Sequence, residues 1–237
     1  MYLGNGTYTV DLGAGDDTVY LTTNASSING NTGTDEAIVR AFDGFVDVYI
    51  DLQFSTYFVP SKLTAQDGMD VSLENFEKVT IDGNVAATIL GTSAADTLVG
   101  DAAADTITGR GGADTLTGGS KSDTFVFTTG DTGITLETAD TITDFSTGTD
   151  KIDITTVGSY VEADGAGNAN IAAFITDADA SLPTTSIDIY AEYNFNGEGN
   201  TLVVIDEDKS GAVNTGDTLI ILTGLSTADG LDAADFI

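Results

Sequence analysis

Aspartate recurs every nine residues in the middle of this chain. The stretch 91–126 divides into the blocks GTSAADTLV, GDAAADTIT, GRGGADTLT and GGSKSDTFV. Glycine opens each block, the eighth place is apolar, and the sixth place holds Asp96, Asp105, Asp114 and Asp123. Regularly spaced carboxylates surrounded by turn carbonyls are suited to binding a hard cation through oxygen ligands. Ca²⁺ accepts this mixture of ligands, so the pattern indicates calcium chemistry.

The same period specifies the elements that must hold these carboxylates. Six residues rich in Gly, Ala and Asp favour a tight turn, in which Gly accepts φ > 0. The Thr-apolar-Thr/Val triplet that follows favours a short strand with one side chain pointing inward. Two blocks then make one coil, and coils stack about 4.8 Å apart. Stacking places Asp96 over Asp114 on one edge and Asp105 over Asp123 on the other, where unneutralised carboxylates would repel each other.

The blocks resemble the nonapeptide G-G-x-G-x-D-x-U-x of RTX proteins, a calcium-binding parallel β-helix repeat. The resemblance implies an all-β fold, a parallel β-roll of two stacked parallel sheets with several Ca²⁺ ions bound at its turns. The second glycine of the consensus is Thr92, Asp101 and Arg110 before it is Gly119. We therefore expect calcium to be richest toward Asp105–Asp123. The alternative is that the aspartates serve only as turn formers.

The period is already running at the N-terminus, where residues 3–38 form four more blocks. Their inward places are Val10, Val19, Ile28 and Ala37. The sixth place is aspartate only in alternate blocks, at Asp17 and Asp35. Alternate blocks lie on the same edge, so we expect Asp17 and Asp35 to stack and share a Ca²⁺. The opposite edge, with Tyr8 and Ser26, should be poor in calcium.

Residues 39–90 lose the glycine turns but keep strand character, which predicts a strand-rich excursion within the roll. The segment VSLENFEKVTIDG at 71–83 resembles the lead-in to an RTX repeat block. We expect Leu73 and Phe76 to pack across the roll and rejoin its register. Their spacing leaves open a short turn of helix.

The segment after the repeats resembles the C-terminal region of serralysin-type metalloproteases and of other RTX proteins exported by type I systems. The matching motifs are DTFVF (123–127), DTITDF (140–145) and GTDKIDI (148–154). In that family, aspartates just after the last repeat complete the final calcium sites. The resemblance therefore implies calcium ligands at Asp131, Asp140 and Asp150. Residues 140–154 should cap the hydrophobic column, whose strand edges would otherwise be exposed.

An acidic loop lies between two β-rich runs within residues 201–222. Asp206, Asp208 and Asp217 occupy places 1, 3 and 12 of a loop with the spacing of an EF-hand, and Gly211 occupies place 6. Strands rather than helices flank the loop, so an EF-hand itself is excluded. Two interpretations remain, one additional Ca²⁺ or a plain acidic β-hairpin.

The rest of the C-terminal region is β-rich and weakly patterned. One short helix is expected around Ile171–Ile175, and the segment should end at Leu182 and Pro183. The tail LTGLSTADGLDAADFI resembles the C-terminal type I secretion signal of RTX proteins. Packing as a last edge strand with a helical turn is the alternative. Both hold if the signal is read before the chain folds.

Composition excludes several function classes. The 237 residues carry 38 acidic and 7 basic side chains, and the net charge of −31 argues against binding nucleic acid or an anionic membrane surface. There is no Cys, His or Trp, which rules out disulfides, the usual Zn, Cu or haem ligands, and Ser-His or Cys-His catalysis within this chain. No apolar run reaches transmembrane length. The hydrophobic fraction of 41% is ordinary, so we expect folding with calcium and disorder without it.

These features predict a non-catalytic calcium-binding module of a secreted bacterial protein, folding on calcium after export by the type I secretion apparatus. The composition resembles that of S-layer and adhesin proteins, which implies surface-layer assembly or cell-surface adhesion through self-association or a cell-surface polysaccharide. The expected divisions are a first roll block at 1–38, the excursion at 39–90, a second block with its cap at 91–154, and the C-terminal region with the secretion signal at 155–237.

Two alternative functions remain open. The chain resembles the C-terminal part of a longer protein, so it is also consistent with the secretion and folding domain of an extracellular protease, lipase or epimerase with its catalytic part upstream. No H-E-x-x-H or G-x-S-x-G motif is present in these residues. The other alternative is a carbohydrate-binding module, for which the aromatic candidates are Tyr49, Tyr57, Tyr190 and Tyr193.

Overall fold

The computed structural model describes residues 1–3, 9–21, 26–40, 48–51, 69–74, 76–154, 159–163, 168, 170–182, 188–225 and 230–237. In these residues the regular secondary structure is almost entirely β-strand, with one α-helix and one turn of 3-10 helix, and short turns connect the strands. The strands form two sheets that are parallel throughout the repeat region. The predicted parallel β-roll is confirmed.

Most strands are three to five residues long, as the nine-residue period requires. The strands before the central repeats are β1 (Tyr2–Leu3), β2 (Thr9–Asp11), β3 (Thr18–Leu21), β4 (Ser26–Asn29), β5 (Glu36–Arg40), β6 (Val48–Asp51), β7 (Met69–Glu74), β8 (Lys78–Asp82) and β9 (Ala87–Leu90). The repeats and the segment after them form β10 (Thr97–Val99), β11 (Thr106–Thr108), β12 (Thr115–Thr117), β13 (Thr124–Val126), β14 (Asp140–Ile142) and β15 (Lys151–Asp153). The C-terminal region forms β16 (Ser159–Ala163), α1 (Ile171–Ser181), β17 (Asp188–Phe195), β18 (Asn200–Asp206) and β19 (Thr218–Leu222), and the 3-10 helix spans Ala233–Asp235.

Successive strands of the roll alternate between the two sheets, except that β6 and β7 both lie in the second sheet. The first sheet has the order β1-β3-β5-β8-β10-β12-β14 and continues into β19-β18-β17-β16, and the second has the order β2-β4-β7-β6-β9-β11-β13-β15. Thr97 of β10 is level with Thr115 of β12, and Thr106 of β11 is level with Thr124 of β13. One coil therefore consists of two nine-residue blocks, as the spacing predicts.

The first sheet is continuous across residues 39–90, because β8 pairs with β5 on one side and with β10 on the other. In the second sheet, β6 lies between β7 and β9, so the spatial order β7-β6 reverses the chain order. The short helical turn left open near Phe76 is not formed among the described residues. Leu73 lies in strand β7, and Phe76 is a buried residue just before β8.

A single apolar column fills the space between the two sheets. The inward places of the central blocks are completely buried, at Leu98, Ile107, Leu116 and Phe125. Those of the N-terminal blocks are buried at Val19, Ile28 and Ala37, and Val10 packs partly buried against the same column. In strands β10 to β13 the outward residues are mostly threonine, which tolerates solvent and favours the extended backbone. The alternation predicted from the sequence is thus realised on both faces.

A second apolar cluster covers the outer face of the C-terminal strands. Strands β18 and β19 form an antiparallel hairpin, and β17 joins it on the far side. Helix α1 packs Phe174 and Ala178 against this face. The helix begins after Asn170, whose side chain accepts a hydrogen bond from the Ala173 N–H, and it ends at Ser181, close to the predicted stop. No helix in the described part of the chain is long and apolar enough to cross a membrane.

The C-terminal tail adds to the edge of the second sheet. Ile237 N–H donates to the Ile152 carbonyl at 3.0 Å, and Ile154 N–H donates to the Ile237 carbonyl at 3.1 Å. Phe236 is buried at the end of the apolar column, and Asp232 caps the preceding 3-10 turn. The tail therefore covers the strand edge that β15 would otherwise expose.

Candidate metal centre

The repeat aspartates form two ladders, one along each edge of the roll. Asp96 N–H donates to Asp114 Oδ1 at 2.8 Å, and Asp105 N–H donates to Asp123 Oδ1 at 2.8 Å, in each case across 18 residues. These carboxylates are at most 3% exposed. The structure thus contains the stacking that the sequence predicts, with Asp96 next to Asp114 and Asp105 next to Asp123.

Both ladders continue into the segment after the repeats. Asp114 N–H donates to Asp140 Oδ1 at 2.9 Å, and Asp123 N–H donates to Asp150 Oδ1 at 3.0 Å. The separations are 26 and 27 residues instead of 18, because residues 127–139 make an additional excursion between two coils. The aspartates implied by the RTX resemblance, Asp140 and Asp150, thus occupy the next positions of the ladders.

Asp131 and Asp144 lie beside the ladders rather than in them. Asp131 Oδ2 accepts from the N–H and the Oγ1 of Thr128, each at 2.8 Å, so it caps the turn that it follows. Its charge nevertheless reaches the ladder, because it contributes to raising the pKa of Asp114 and Asp140. Asp144 accepts from the N–H groups of two successive turn residues, Gly118 and Gly119.

The ladder that contains Asp96, Asp114 and Asp140, called the first ladder below, also runs through the N-terminal coils. Asp17 N–H donates to Asp35 Oδ1 at 2.9 Å, so the predicted stacking of these two residues is present. Asp35 N–H in turn donates to Glu77 Oε2 at 2.8 Å. Glu77 was not predicted as a site residue, although it precedes Lys78-Val79 as aspartate precedes Thr-Leu in the blocks. On the opposite edge, Tyr8 and the Ser26 side chain lie outside the described residues.

The turns fall into two backbone classes. In turn 109–114 the second and fourth places, Arg110 and Gly112, have φ of 67° and 128°, and in turn 118–123 Gly119 and Lys121 have φ of 105° and 83°. The N-terminal turns share this left-handed pattern, at Gly13 and Gly15 and at Asn31 and Gly33. In turns 91–96 and 100–105 the same places, Thr92, Ala94, Asp101 and Ala103, are not among the described residues with positive φ.

Within the repeat blocks, the contacts of the second carboxylate oxygen differ between the two turn classes. In turn 91–96, Asp96 Oδ2 accepts from Thr92 N–H at 2.6 Å and from Thr92 Oγ1 at 2.9 Å. In turn 100–105, Asp105 Oδ2 accepts from Asp101 N–H at 2.8 Å. In the left-handed turns 30–35, 109–114 and 118–123, the N–H of the second place does not donate to the Oδ2 of the aspartate that ends the turn. Buried Oδ2 atoms without a hydrogen-bond partner in the described part of the chain belong to Asp35, Asp114, Asp123 and Asp140.

The opening glycine of each central block is required for a reason other than φ. Gly109 and Gly118 do not have positive φ, in contrast to the interpretation of the block glycines from sequence. A Cβ at Gly109 would overlap Asp114 Oδ2, and a Cβ at Gly118 would lie 2.5 Å from Asp123 Oδ2. The glycine therefore makes room for the carboxylate of its own turn.

Burial makes these carboxylates hard to ionise without a counterion. Desolvation raises the pKa of Asp114 to about 7 and that of Asp140 to about 8. Repulsion from Asp96 and Asp131 adds to the shift at Asp114, and repulsion from Asp114 and Asp131 adds to the shift at Asp140. Desolvation and the charges of Asp150 and Asp105 raise the pKa of Asp123 to about 6. The pKa values of Asp96, Asp105 and Asp150 are raised as well, again mainly by burial. A cation placed against the free oxygens would reverse this effect.

The acidic loop between β18 and β19 brings its three aspartates together. Asp206, Asp208 and Asp217 each offer a carboxylate oxygen within 4.8 Å of the other two. Asp206 and Asp217 are completely buried, and burial raises the pKa of Asp217 to about 6. Gly211 has a φ of 70°, which makes the sharp turn that an EF-hand loop needs at its sixth place.

One nitrogen lies where oxygens of this loop converge. Asn214 Nδ2 donates to Asp208 Oδ2 at 3.0 Å, to Ser210 Oγ at 3.0 Å and to the Ala212 carbonyl at 2.9 Å. These oxygens belong to places 3, 5 and 7, the places that supply ligands in an EF-hand loop. The Asn214 amide nitrogen thus lies at a point surrounded by oxygen atoms. The loop has this arrangement even though antiparallel strands flank it, where an EF-hand has helices.

The comparison with known families agrees with this geometry. Residues 90–125 match the family model described as the RTX calcium-binding nonapeptide repeat, in four copies. The match coincides with the four blocks whose aspartates form the ladders. No curated protein matches the chain.

Proposed function

We propose that this RTX calcium-binding repeat protein is a structural module that folds on calcium outside the cell, with its ions held at the turns along both edges of the roll. RTX nonapeptide repeats bind several Ca²⁺ ions and are structural rather than catalytic. The donor set at the turns consists of carboxylate and carbonyl oxygens, which is the set that Ca²⁺ prefers.

The main support for assigning calcium to particular residues is a group of buried carboxylate oxygens that have no hydrogen-bond partner in the described part of the chain. Buried polar atoms in folded proteins are almost always hydrogen-bonded, because an unpaired one costs about 1–3 kcal/mol. Four such oxygens lie on the two ladders. Cations bound at successive turns would account for all four oxygens, and they would also remove the repulsion within each ladder.

The positions of these free oxygens support some of the predicted calcium ligands more strongly than others. We assign a Ca²⁺ position to Asp17 and Asp35, a second to Asp114 and Asp140 with Asp131 nearby, and a third to Asp123 and Asp150. Asp96 and Asp105 stay predictions with weaker support, because their Oδ2 atoms already accept backbone hydrogen bonds.

The hairpin loop is proposed as a separate calcium position with Asp206, Asp208 and Asp217 as ligands. Its support is the mutual approach of the three carboxylates and the convergence of further loop oxygens on Asn214 Nδ2. A bound ion would displace that amide nitrogen and take over its oxygen contacts. The loop differs from the roll because it lies within one continuous stretch of chain and needs no second coil.

Export by a type I apparatus and a role at the cell surface complete the proposal. At low cytosolic calcium, an acidic chain of net charge −31 repels itself and remains unfolded, which suits passage through a secretion channel. Higher external calcium then permits folding. Surface-layer assembly or adhesion is the role we favour, and a secretion and folding domain of an extracellular enzyme is the competing function.

The carbohydrate-binding alternative loses two of its aromatic candidates. Tyr190 is 2% exposed and Tyr193 is 1% exposed, so neither side chain is available to stack on a sugar. Tyr193 instead donates to the Leu231 carbonyl at 3.2 Å and helps to hold the tail. Tyr57 and the side chain of Tyr49 lie outside the described residues.

Equilibrium dialysis against calcium tests the residue assignment. The wild-type chain should bind several ions, and a variant with Asp→Asn at Asp35, Asp114, Asp123 and Asp140 should lose most of those held by the roll. Asparagine keeps Oδ1 as the acceptor of the ladder hydrogen bond. A loss of calcium binding would therefore come from the removed negative charge and not from a broken hydrogen bond. Asp82→Asn is the control, because Asp82 is exposed and pairs with Arg40. Unchanged binding by the fourfold variant would contradict the assignment.

A further inference from the structure

One step of the first ladder contains a cation that belongs to the chain itself. Arg110 extends from turn 109–114 toward the preceding coil, and its Nη1 donates to the Gly91 carbonyl at 2.7 Å. Gly91 opens the turn that ends at Asp96. The half-buried guanidinium thus contacts a turn carbonyl of the neighbouring coil, the type of oxygen that a calcium ion would use at the edge of the roll.

The backbone of Arg110 explains how its side chain reaches this place. Arg110 stands at the second place of its turn, where the family pattern has glycine, and its φ is 67°. Non-glycine residues rarely adopt this conformation, so the surrounding structure must compensate for its strain. The contact with Gly91 is one such compensation. Attraction to Asp96 is a second, since Arg110 opposes the effect of burial on the Asp96 pKa.

The carboxylate at this step differs from those at the neighbouring steps. Asp96 Oδ2 is satisfied by Thr92, whereas the Oδ2 atoms of Asp114 and Asp140 at the next step have no partner among the described residues. Cations of the chain do not contact those two oxygens in the described structure. The free oxygens and the internal cation therefore occur at successive steps of one ladder.

We propose that Arg110 takes the place of a Ca²⁺ ion between turns 91–96 and 109–114. These two successive turns of the first ladder then pack together without calcium. The inference rests on calcium binding by the roll, proposed above, and adds that one inter-turn position is reserved for a side chain. A guanidinium is suited to this role because it stays charged at every physiological pH and presents several donors to oxygen.

The N-terminal turn 12–17 supplies the pattern for a test. Its second and fourth places are Gly13 and Gly15, both left-handed. Thr92→Gly with Ala94→Gly gives turn 91–96 glycine at the same two places, the second and the fourth. The pair also removes the Thr92 side chain that donates to Asp96. Adding Arg110→Gly to this pair removes the internal cation as well.

Equilibrium dialysis then counts the ions bound by three chains. We expect the Thr92→Gly/Ala94→Gly variant to bind as many Ca²⁺ ions as the wild type, and the threefold variant with Arg110→Gly to bind one more. An additional ion with Arg110 still present would overturn the proposal, and so would a threefold variant that gains none. Failure of the wild type to bind calcium would instead contradict the proposed function.

Two single variants keep the test independent of those glycine substitutions. Arg110→Lys retains a cation at the step, whereas Arg110→Gln retains only a hydrogen-bond donor, and both place a side chain at the same positive φ. We expect Arg110→Gln to raise the calcium concentration at half-folding several-fold and Arg110→Lys to keep it close to the wild-type value. Equal effects of the two substitutions, or no effect of either, would show that charge at residue 110 is not what closes the step.

Discussion

At the scale of single residues, Asp114 shows most clearly how the turns are adapted to a cation. One oxygen of its carboxylate accepts the Asp96 N–H, and the other is buried without a partner in the described part of the chain. Asp96, one coil earlier, has the same ladder position but a satisfied second oxygen. The two residues therefore form a matched pair that differs in the feature assigned to calcium.

Substitution of this pair separates calcium binding from ladder geometry. Asp114→Asn removes a charge from the free oxygen, and we expect it to weaken calcium binding by about tenfold or more, since the affinity of a calcium site follows the charge count of its ligands. Asp96→Asn should weaken binding less, because that oxygen is already bonded to Thr92. Calcium titration calorimetry measures both. A larger effect at Asp96 than at Asp114 would argue against the assignment.

The opening glycine provides a second prediction at this scale. Gly109→Ala should destabilise the calcium-bound fold by about 1–3 kcal/mol, because its Cβ would overlap Asp114 Oδ2. Gly111→Ala in the same turn is the control. A Cβ there meets nothing closer than 3.7 Å, and Gly111 does not require positive φ. Thermal unfolding in calcium compares the two, and equal destabilisation would contradict the steric explanation.

At the scale of elements, the ladders couple folding to pH. The pKa values of Asp114, Asp123 and Asp140 are raised to about 7, about 6 and about 8 by burial, whereas the pKa of an unfolded aspartate is about 3.9. The folded chain therefore holds protons that the unfolded chain releases. Its extra stability is complete below the unfolded pKa and is lost as the pH rises through about 6 to about 8.

For the calcium-free protein we accordingly expect more β-structure at pH 5 than at pH 8. Circular dichroism of protein freed of calcium by a chelator and then dialysed to each pH measures this. Saturating calcium should remove the loss at pH 8, because the ion replaces the protons on the ladder carboxylates. A calcium-free chain that gains structure as the pH rises would contradict the pKa directions.

The β18–β19 hairpin is a separate element and allows its own prediction. Asp208→Asn should lower the number of bound Ca²⁺ ions by one and leave the roll sites unchanged, since Asp208 is an exposed member of the three-carboxylate group. Glu198→Gln is the control, an exposed acid in the turn between β17 and β18. Native mass spectrometry in calcium counts the ions. An unchanged count for Asp208→Asn would favour a plain acidic hairpin.

At the scale of the whole molecule, the parts set by the nine-residue period could be predicted from the sequence. The period determines strand length, the inward places such as Leu98 and Phe125, and the vertical pairing of aspartates, because each depends only on spacing. The helix near Ile171 and the hairpin around residues 206–217 were also predicted, from local capping and turn chemistry. These features require no knowledge of distant contacts.

Other features depend on contacts that spacing does not encode. Arg110 and Lys121 have positive φ at places where the repeat pattern has glycine, so glycine content alone could not assign the turn classes. The reversed order of β7 and β6 follows from long-range strand pairing. Glu77 entered the ladder across a separation of 42 residues from Asp35, which no nine-residue count would suggest.

We propose that calcium converts this acidic chain as a whole from an unfolded to a folded state. A chain of net charge −31 with buried, unpaired carboxylates should be largely unfolded near neutral pH when calcium is absent. Calcium titration followed by far-ultraviolet circular dichroism tests this most directly. We expect a cooperative gain of β-structure at about 0.1–1 mM calcium, the range of extracellular calcium modules. A chain that is already fully folded in excess chelator at neutral pH would contradict the account.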